Sequence, residues 1–391
     1  MSAKNTFLTG ALCLILNVGY AARAGDAAGD KVRTQRVPAG GIQPQVAVDG
    51  KGVVHLIYFR GQAGAGDVFY VHSTDAGRTF SRPLQVNRHP GSAIAVGNIR
   101  GAHLAVGKNG RIHVAWMGSD KARPRALDNA TPMLYTRLND AGDAFEPERN
   151  VLQSAAGLDG GGSVAADEKG HVCVVWHAPE PGVRGEDKRR VWIARSDDEG
   201  KTFAPEKPAF AEPTGACGCC GMRALADEQG EIYVLYRSAK EQVHRDIYLL
   251  TSGDHGADFQ GVDLHPWQIS TCPMSSMALT RSAAGVLAAW ETDGQVYWTR
   301  IEPATGKRAP PVSAPGSTGK RKHPVVAANK EGETILGWTE GMDWNQGGSL
   351  AWQVFDKQGK PTAERGSARG VPVWSLVAVF ARPDGGFTIL Y

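Results

Sequence analysis

This chain carries no excess of one charge. Forty-three Lys and Arg stand against 40 Asp and Glu, a formal net charge of +3 over 391 residues. The only dense basic spots, Asp187-Lys-Arg-Arg190 and Lys320-Arg-Lys322, are not interleaved with the aromatics or glycines of a nucleic-acid module, so no nucleic acid is expected as a partner. Past the first two dozen residues there is also no apolar run of the roughly 20 residues that a spanning helix needs, which excludes a predicted membrane span. The N-terminus itself reads as an export signal over residues 1–24. Lys4 supplies the charge, Phe7 to Val18 the short apolar stretch, and Ala22-Arg23-Ala24 a small-x-small cleavage site. The mature protein, 25–391, is therefore expected to be one domain, secreted or periplasmic, in a compartment that oxidises thiols.

What the chain does have is glycine and repetition. Glycine numbers 49, much of it in dipeptides such as Asp49-Gly50, Asn109-Gly110 and Asp384-Gly385 that close hairpins, which favours many short strands. Four copies of one pattern read Ser73-Thr-Asp75-Ala-Gly77-Arg-Thr79-Phe80, Leu138-Asn-Asp140-Ala-Gly142-Asp-Ala-Phe145, Ser196-Asp-Asp198-Glu-Gly200-Lys-Thr202-Phe203 and Ser252-Gly-Asp254-His-Gly256-Ala-Asp258-Phe259. Their aspartates lie 65, 58 and 56 residues apart, the size of one small β-sheet. In each, the Asp can accept bonds from backbone N–H groups of a tight turn, the Gly can take positive φ, and the aromatic can anchor the returning strand. Asp75, Asp140, Asp198 and Asp254 are thus predicted to be structural.

A second unit, strand, Gly-containing turn and strand ending in an aromatic, recurs as Pro44 to Tyr58, His103 to Trp116, Ser163 to Trp176 and Arg223 to Tyr236. Fainter copies end at Trp290, Trp338 and Tyr391. Joined, the two patterns give four strands per repeat, the blade of a β-propeller. The expected fold is all-β, with six or seven blades and seven inner-strand pairs counted. Val377 to Tyr391 has only two strands and Val32 to Val37 is an unpartnered one, so the ends are predicted to pair and close the ring.

These residues resemble the Asp-box (BNR-repeat) propellers, whose best-known members are the sialidases. Ser-x-Asp-x-Gly-x-Thr-Phe stands intact at 73–80 and 196–203, is nearly intact at 252–259, and has Leu138 in the Ser place of the second copy. The resemblance implies Asp turns on the face opposite a ligand site. In sialidases it further implies three arginines on a substrate carboxylate, a tyrosine nucleophile activated by a glutamate, and an aspartate acid and base. The family's Arg-Ile-Pro run reads Ile42-Gln43-Pro44 here, with Arg36-Val37-Pro38 slightly earlier. The last blade offers Trp374-Ser375 and no tyrosine before Tyr391. Two classes of function stay open: a carbohydrate-directed propeller, hydrolytic or glycan-binding, and a non-enzymatic interaction or soft-metal-binding propeller.

Residues entering the inner strands should face the funnel where propellers bind a glycan or other small molecule. They are Arg100, Arg223 and Arg321 with His323, joined at the ends of second strands by Arg60, His177, Arg237 and Glu340. Arg60, Arg100, Arg223, Arg321 and His323 are candidate substrate contacts; Arg100, Arg223, Arg237, Asp246 and Glu340 are candidate catalytic groups. Arg245-Asp246 can instead form an ion pair that closes its loop. The cysteines are distinctive: Cys217-Gly-Cys219-Cys220 and Cys272-Pro-Met274 occupy the same place in adjacent repeats. Cys272 is expected to bridge to one of Cys217, Cys219 or Cys220, with the remaining two paired, leaving Cys173 as a buried core thiol. Alternatives are reactive thiols, or a copper or zinc site formed by Cys217, Cys219, Cys220, Cys272 and Met274.

Overall fold

Seven antiparallel strand pairs surround one axis, each inner strand lying beside the next and the seventh beside the first. The computed structural model describes residue 1 and residues 30–303, 306–316 and 319–391; the export signal read in residues 1–24 lies, Met1 apart, outside the described residues. Six blades are four-stranded sheets paired in chain order, at 42–85, 103–150, 162–208, 223–265, 278–313 and 321–371. The seventh is Ala378–Ala381 and Phe387–Leu390, closed by Val32–Gln35. That first strand pairs in parallel with the last, Val32 opposite Phe387 and Gln35 opposite Leu390. The closure also uses both backbone groups of Tyr391, whose N–H donates to Gln35 at 3.0 Å and whose carbonyl accepts from Val37 at 3.1 Å. The blade count is seven, and the unit spans Lys31–Tyr391. Among the described residues no helix is long and apolar enough to cross a membrane.

The aromatics that end the second strands explain why a lone blade would not hold. Tyr58, Trp116, Trp176, Tyr236, Trp290 and Trp338 are all buried, and the apolar clusters they join draw on two neighbouring blades. Ile57, Phe59 and Tyr70 of blade 1 pack with Leu104, Trp116 and Phe145 of blade 2. Met133 and Tyr135 of blade 2 pack with Val164, Trp176 and Trp192 of blade 3. Burying such faces between blades is the main stabilising term, at about 25 cal/mol per Å² of apolar surface.

The repeated Asp turns fold as the pattern implies, with one exception. Asp198 accepts from Ser196 Oγ at 2.7 Å, from the Thr202 backbone N–H at 2.9 Å and from Thr202 Oγ1 at 2.7 Å. Asp75 does the same with Ser73 and Thr79. Gly200 has φ +77°, and a Cβ there would collide with the Tyr135 hydroxyl of the preceding blade. Phe203 lies edge-on to that ring at 4.8 Å, so each clip anchors on its neighbour. In the second copy, Asp140 points outward to Arg111 and Asn139 Oδ1 accepts the turn N–H of Asp143 at 3.2 Å. Leu138 offers no hydroxyl to orient the aspartate, and Asn139 takes the turn.

Candidate functional site

Strands alternate in direction, so the Asp turns and the turns after the inner strands share one face. The loops that enter the inner strands share the other, the mouth. Five of the inner-strand entries hold a non-glycine residue at positive φ: Asn98 (64°), Met274 (47°) and Trp374 (56°) in the loop, and Gln43 (52°) and His323 (52°) among the first residues of the strand. Backbone in this region is strained, and such strain collects where a site over-determines it.

Each candidate arginine has its own partner, and the set does not converge. Arg100 donates to Asp159 Oδ1 at 2.6 Å and to the Asp159 and Val96 carbonyls. Arg321 donates to Gln295 Oε1 at 2.9 Å, lies 3.4 Å from Glu340, and covers the Trp338 ring at 5.0 Å. Glu340 also accepts from Trp338 Nε1 at 2.8 Å. Arg237 is buried behind the mouth, 3.3 Å from Glu291 and donating to the Arg245 carbonyl. Arg60 lies over Phe69 at 5.6 Å. Arg223 reaches across the axis to Gln45 of blade 1, and burial lowers its guanidinium pKa to about 10.

The expected Arg245–Asp246 pair is not made. Arg245 bonds Glu186 at 2.6 Å, while buried Asp246 accepts the Trp267 N–H at 2.8 Å. A loop N–H is a nearer partner for Asp246 than the arginine, which turns to the neighbouring blade.

Two histidines at the mouth are kept neutral. Burial lowers His323 to about 3, with Lys322 adding to it, and His323 Nδ1 shares a 3.1 Å contact with Ser276 Oγ. Burial likewise lowers His177 to about 4, with Arg189 adding to it. Gln43 donates from Nε2 to the carbonyls of Ala95 and Trp374 at 2.7 and 2.8 Å. It ties three entry loops together and presents no guanidinium.

The cysteines meet as their spacing implies, with one correction. Cys219 and Cys272 form a disulfide with Cα atoms 6.3 Å apart. Cys217 and Cys220 are not the second bridge. Both are free and buried, Cys217 Sγ donating to Cys220 Sγ at 3.1 Å and lying 3.4 Å from Cys219 Sγ. The two are held at hydrogen-bonding distance by the Cys217 N–H to the Arg237 carbonyl and the Gly221 N–H to the Ser275 carbonyl. Burial opposes ionisation of Cys220, but the S–H bond from Cys217 and the Arg237 charge outweigh it and lower the pKa to about 7. Cys217, the donor, is held well above the usual thiol range by that bond and by burial. Donor atoms of Glu186, Cys217, Cys219 and Cys272 lie within 4.8 Å of one another. Cys173 is a core thiol, raised to about 12 by burial.

Sequence reasoning missed the part of the mouth contributed by Trp344, Asp159 and Glu186. Trp344 is the most exposed aromatic of the described residues, at 49%. Its indole shares Gly97 with Arg100. A Cβ at Gly97 would stand 2.6 Å from Arg100 Nη1 and 3.1 Å from the indole edge. Asn98, Met274, Lys322, His323, Met342 and Asp343 complete the depression. An isolated tryptophan in the polar run Gly341 to Gly348 was the available signal.

No protein-family model matches the chain, and no curated protein matches it in sequence. Among solved structures it is similar to the Hadza microbial sialidase Hz136, at TM-score 0.49 and 14% identity over 82% of this chain and 69% of that one. An α-L-arabinanase of Penicillium chrysogenum complexed with arabinobiose gives TM-score 0.49 and 16% identity over 83% and 95%. The intramolecular trans-sialidase of Ruminococcus gnavus gives 0.44 and 12% over 92% and 90%. These are likenesses of chain path.

Proposed function

We propose that this is an exported propeller that binds a carbohydrate at its mouth without sialidase chemistry. The observation that carries the reading is the exposed Trp344 indole set beside Arg100 and Lys322. An indole face accepts the apolar face of a sugar ring, and the flanking cations suit hydroxyl or carboxylate oxygens. Absence of hydrolysis is supported by the arginines: Arg100, Arg237 and Arg321 are each engaged with protein groups. The test is a panel of sialylated and neutral oligosaccharides measured by calorimetry, beside sugar release from fluorogenic glycosides. We expect saturable binding, weakened roughly tenfold or more by Trp344→Ala, and no release. Binding that Trp344→Ala leaves unchanged would reject the site, and released sugar would reassign the chain as a hydrolase.

A second reading rests on the sulfur cluster. With the Cys219–Cys272 bridge reduced, three thiolates and Glu186 would form a donor set suited to Cu(I) or Zn(II). Metal analysis of reduced and unreduced protein should find about one ion per chain in the reduced sample only; a metal-free reduced sample would dismiss this reading.

A further inference from the structure

The inner strands enclose a channel along the axis, about 330 Å³ in volume, walled by alanine, valine and leucine. It is separated from the mouth by a polar layer that includes Gln43, Asn98, His103, Ser276 and His323. Among the described residues only two ionisable side chains line it, Arg223 and Arg281, and no carboxylate does. Arg281 is already engaged: Nε donates to the Ala226 carbonyl at 2.5 Å and Nη2 to the Ala166 carbonyl at 3.3 Å, with Glu228 and Asp227 close by.

Arg223 is different. It stands where the channel meets the polar layer, its acceptor is the neutral amide of Gln45, and among the described residues its Nε has no hydrogen-bond partner. Burial alone shifts its titration, with no carboxylate opposing it, and its neighbour His103 is held neutral. Arg223 is half-buried, and a guanidinium partly withdrawn from water without a counter-ion is disfavoured. Water filling the channel, about ten molecules at this volume, would find backbone partners along the unpaired inner strand edges but no negative charge to offset Arg223. An anion supplies that charge, since a carboxylate accepts two parallel bonds from a guanidinium, and an apolar body suits the aliphatic side chains of the wall.

We propose that the axial channel binds a monocarboxylate with a short apolar chain, its carboxylate on Arg223 and its chain along the inner strands. The site is independent of the mouth. The experiment uses the full, tag-free chain and n-octanoate, compared by calorimetry with n-octanol, which lacks the charge, and acetate, which lacks the chain. Expected is one octanoate per chain, with octanol and acetate at least ~10-fold weaker. Arg223→Met, apolar and of similar length, should raise the thermal midpoint of the unliganded protein and lower octanoate affinity at least ~10-fold. Ala105→Leu, which fills the channel from blade 2, should block octanoate with the circular dichroism spectrum unchanged; it decides the matter if Arg223→Met does not fold. No octanoate binding at millimolar concentration, equal binding of octanol or acetate, or full binding by either variant would overturn the proposal.

Discussion

A buried imidazole that must stay neutral ties stability to pH, and this protein has several. Burial lowers His113 and His323 to about 3 and His177 to about 4, whereas an unfolded histidine titrates near ~6.5. Below that value the unfolded chain takes up protons that the folded one refuses. The stabilisation is therefore complete above pH ~6.5 and drains away as pH falls toward the folded values. Each histidine contributes on the order of 1 kcal/mol per pH unit across that window. Urea midpoints should fall between pH 6.5 and 4.5, before the carboxylates titrate; a flat profile there would show that these rings gain protons without unfolding. The thiols give a second residue-scale prediction. Denatured, unreduced protein lacking residues 1–24 should titrate three thiols, Cys173, Cys217 and Cys220. One thiol would mean that Cys217 and Cys220 are joined. The spacing of the cysteines was enough to place Cys272 beside the cluster. Which sulfur it meets depends on the path of the entry loops, which hydrogen bonds to Arg237 and Ser275 decide and no local pattern encodes.

At the scale of the element, the four Asp turns offer an internal comparison. Asp198→Ala removes three hydrogen bonds from a turn seated on the neighbouring blade and should destabilise by about 1–2 kcal/mol. Asp140→Ala removes only an exposed contact with Arg111 and should leave the urea midpoint within error. Equal losses would mean that the second turn is held as the others are. The blades were legible in the sequence because each turn carries its own chemistry and each second strand ends in an aromatic. The mouth was less so. Arginines at strand ends were expected to converge on one ligand, yet their directions depend on partners such as Asp159, Gln295 and Glu291, which come from other loops and strands. Trp344 went unread because it belongs to a loop outside the repeat.

On the scale of the whole molecule, the Cys219–Cys272 bridge joins the loops entering blades 4 and 5 across a sequence separation of 53. Cys272→Ser should lower stability by about 2–4 kcal/mol through the freed unfolded chain, with little change in the native circular dichroism. A smaller loss would point to residual structure that already holds these loops together in the unfolded state.

The parallel pairing of Val32–Gln35 with Phe387–Leu390 also makes the fold a check on its own completeness. During synthesis the early strand must wait for a partner that emerges almost a whole chain later. Until then the finished blades form an open arc with an uncovered apolar blade face at each end, a site for wrong association. Closing a loop of this size opposes folding by about 5 kcal/mol of chain entropy, so the ring should close late and all at once. A chain cut before Phe387 would retain six complete blades and yet have no partner for its first strand. It should remain trapped as an aggregating arc, and pulse-labelling hydrogen exchange on the intact chain should find the amides of the closing strands among the last to gain protection. Early protection of those amides would show instead that the ends meet first and the blades fill in between.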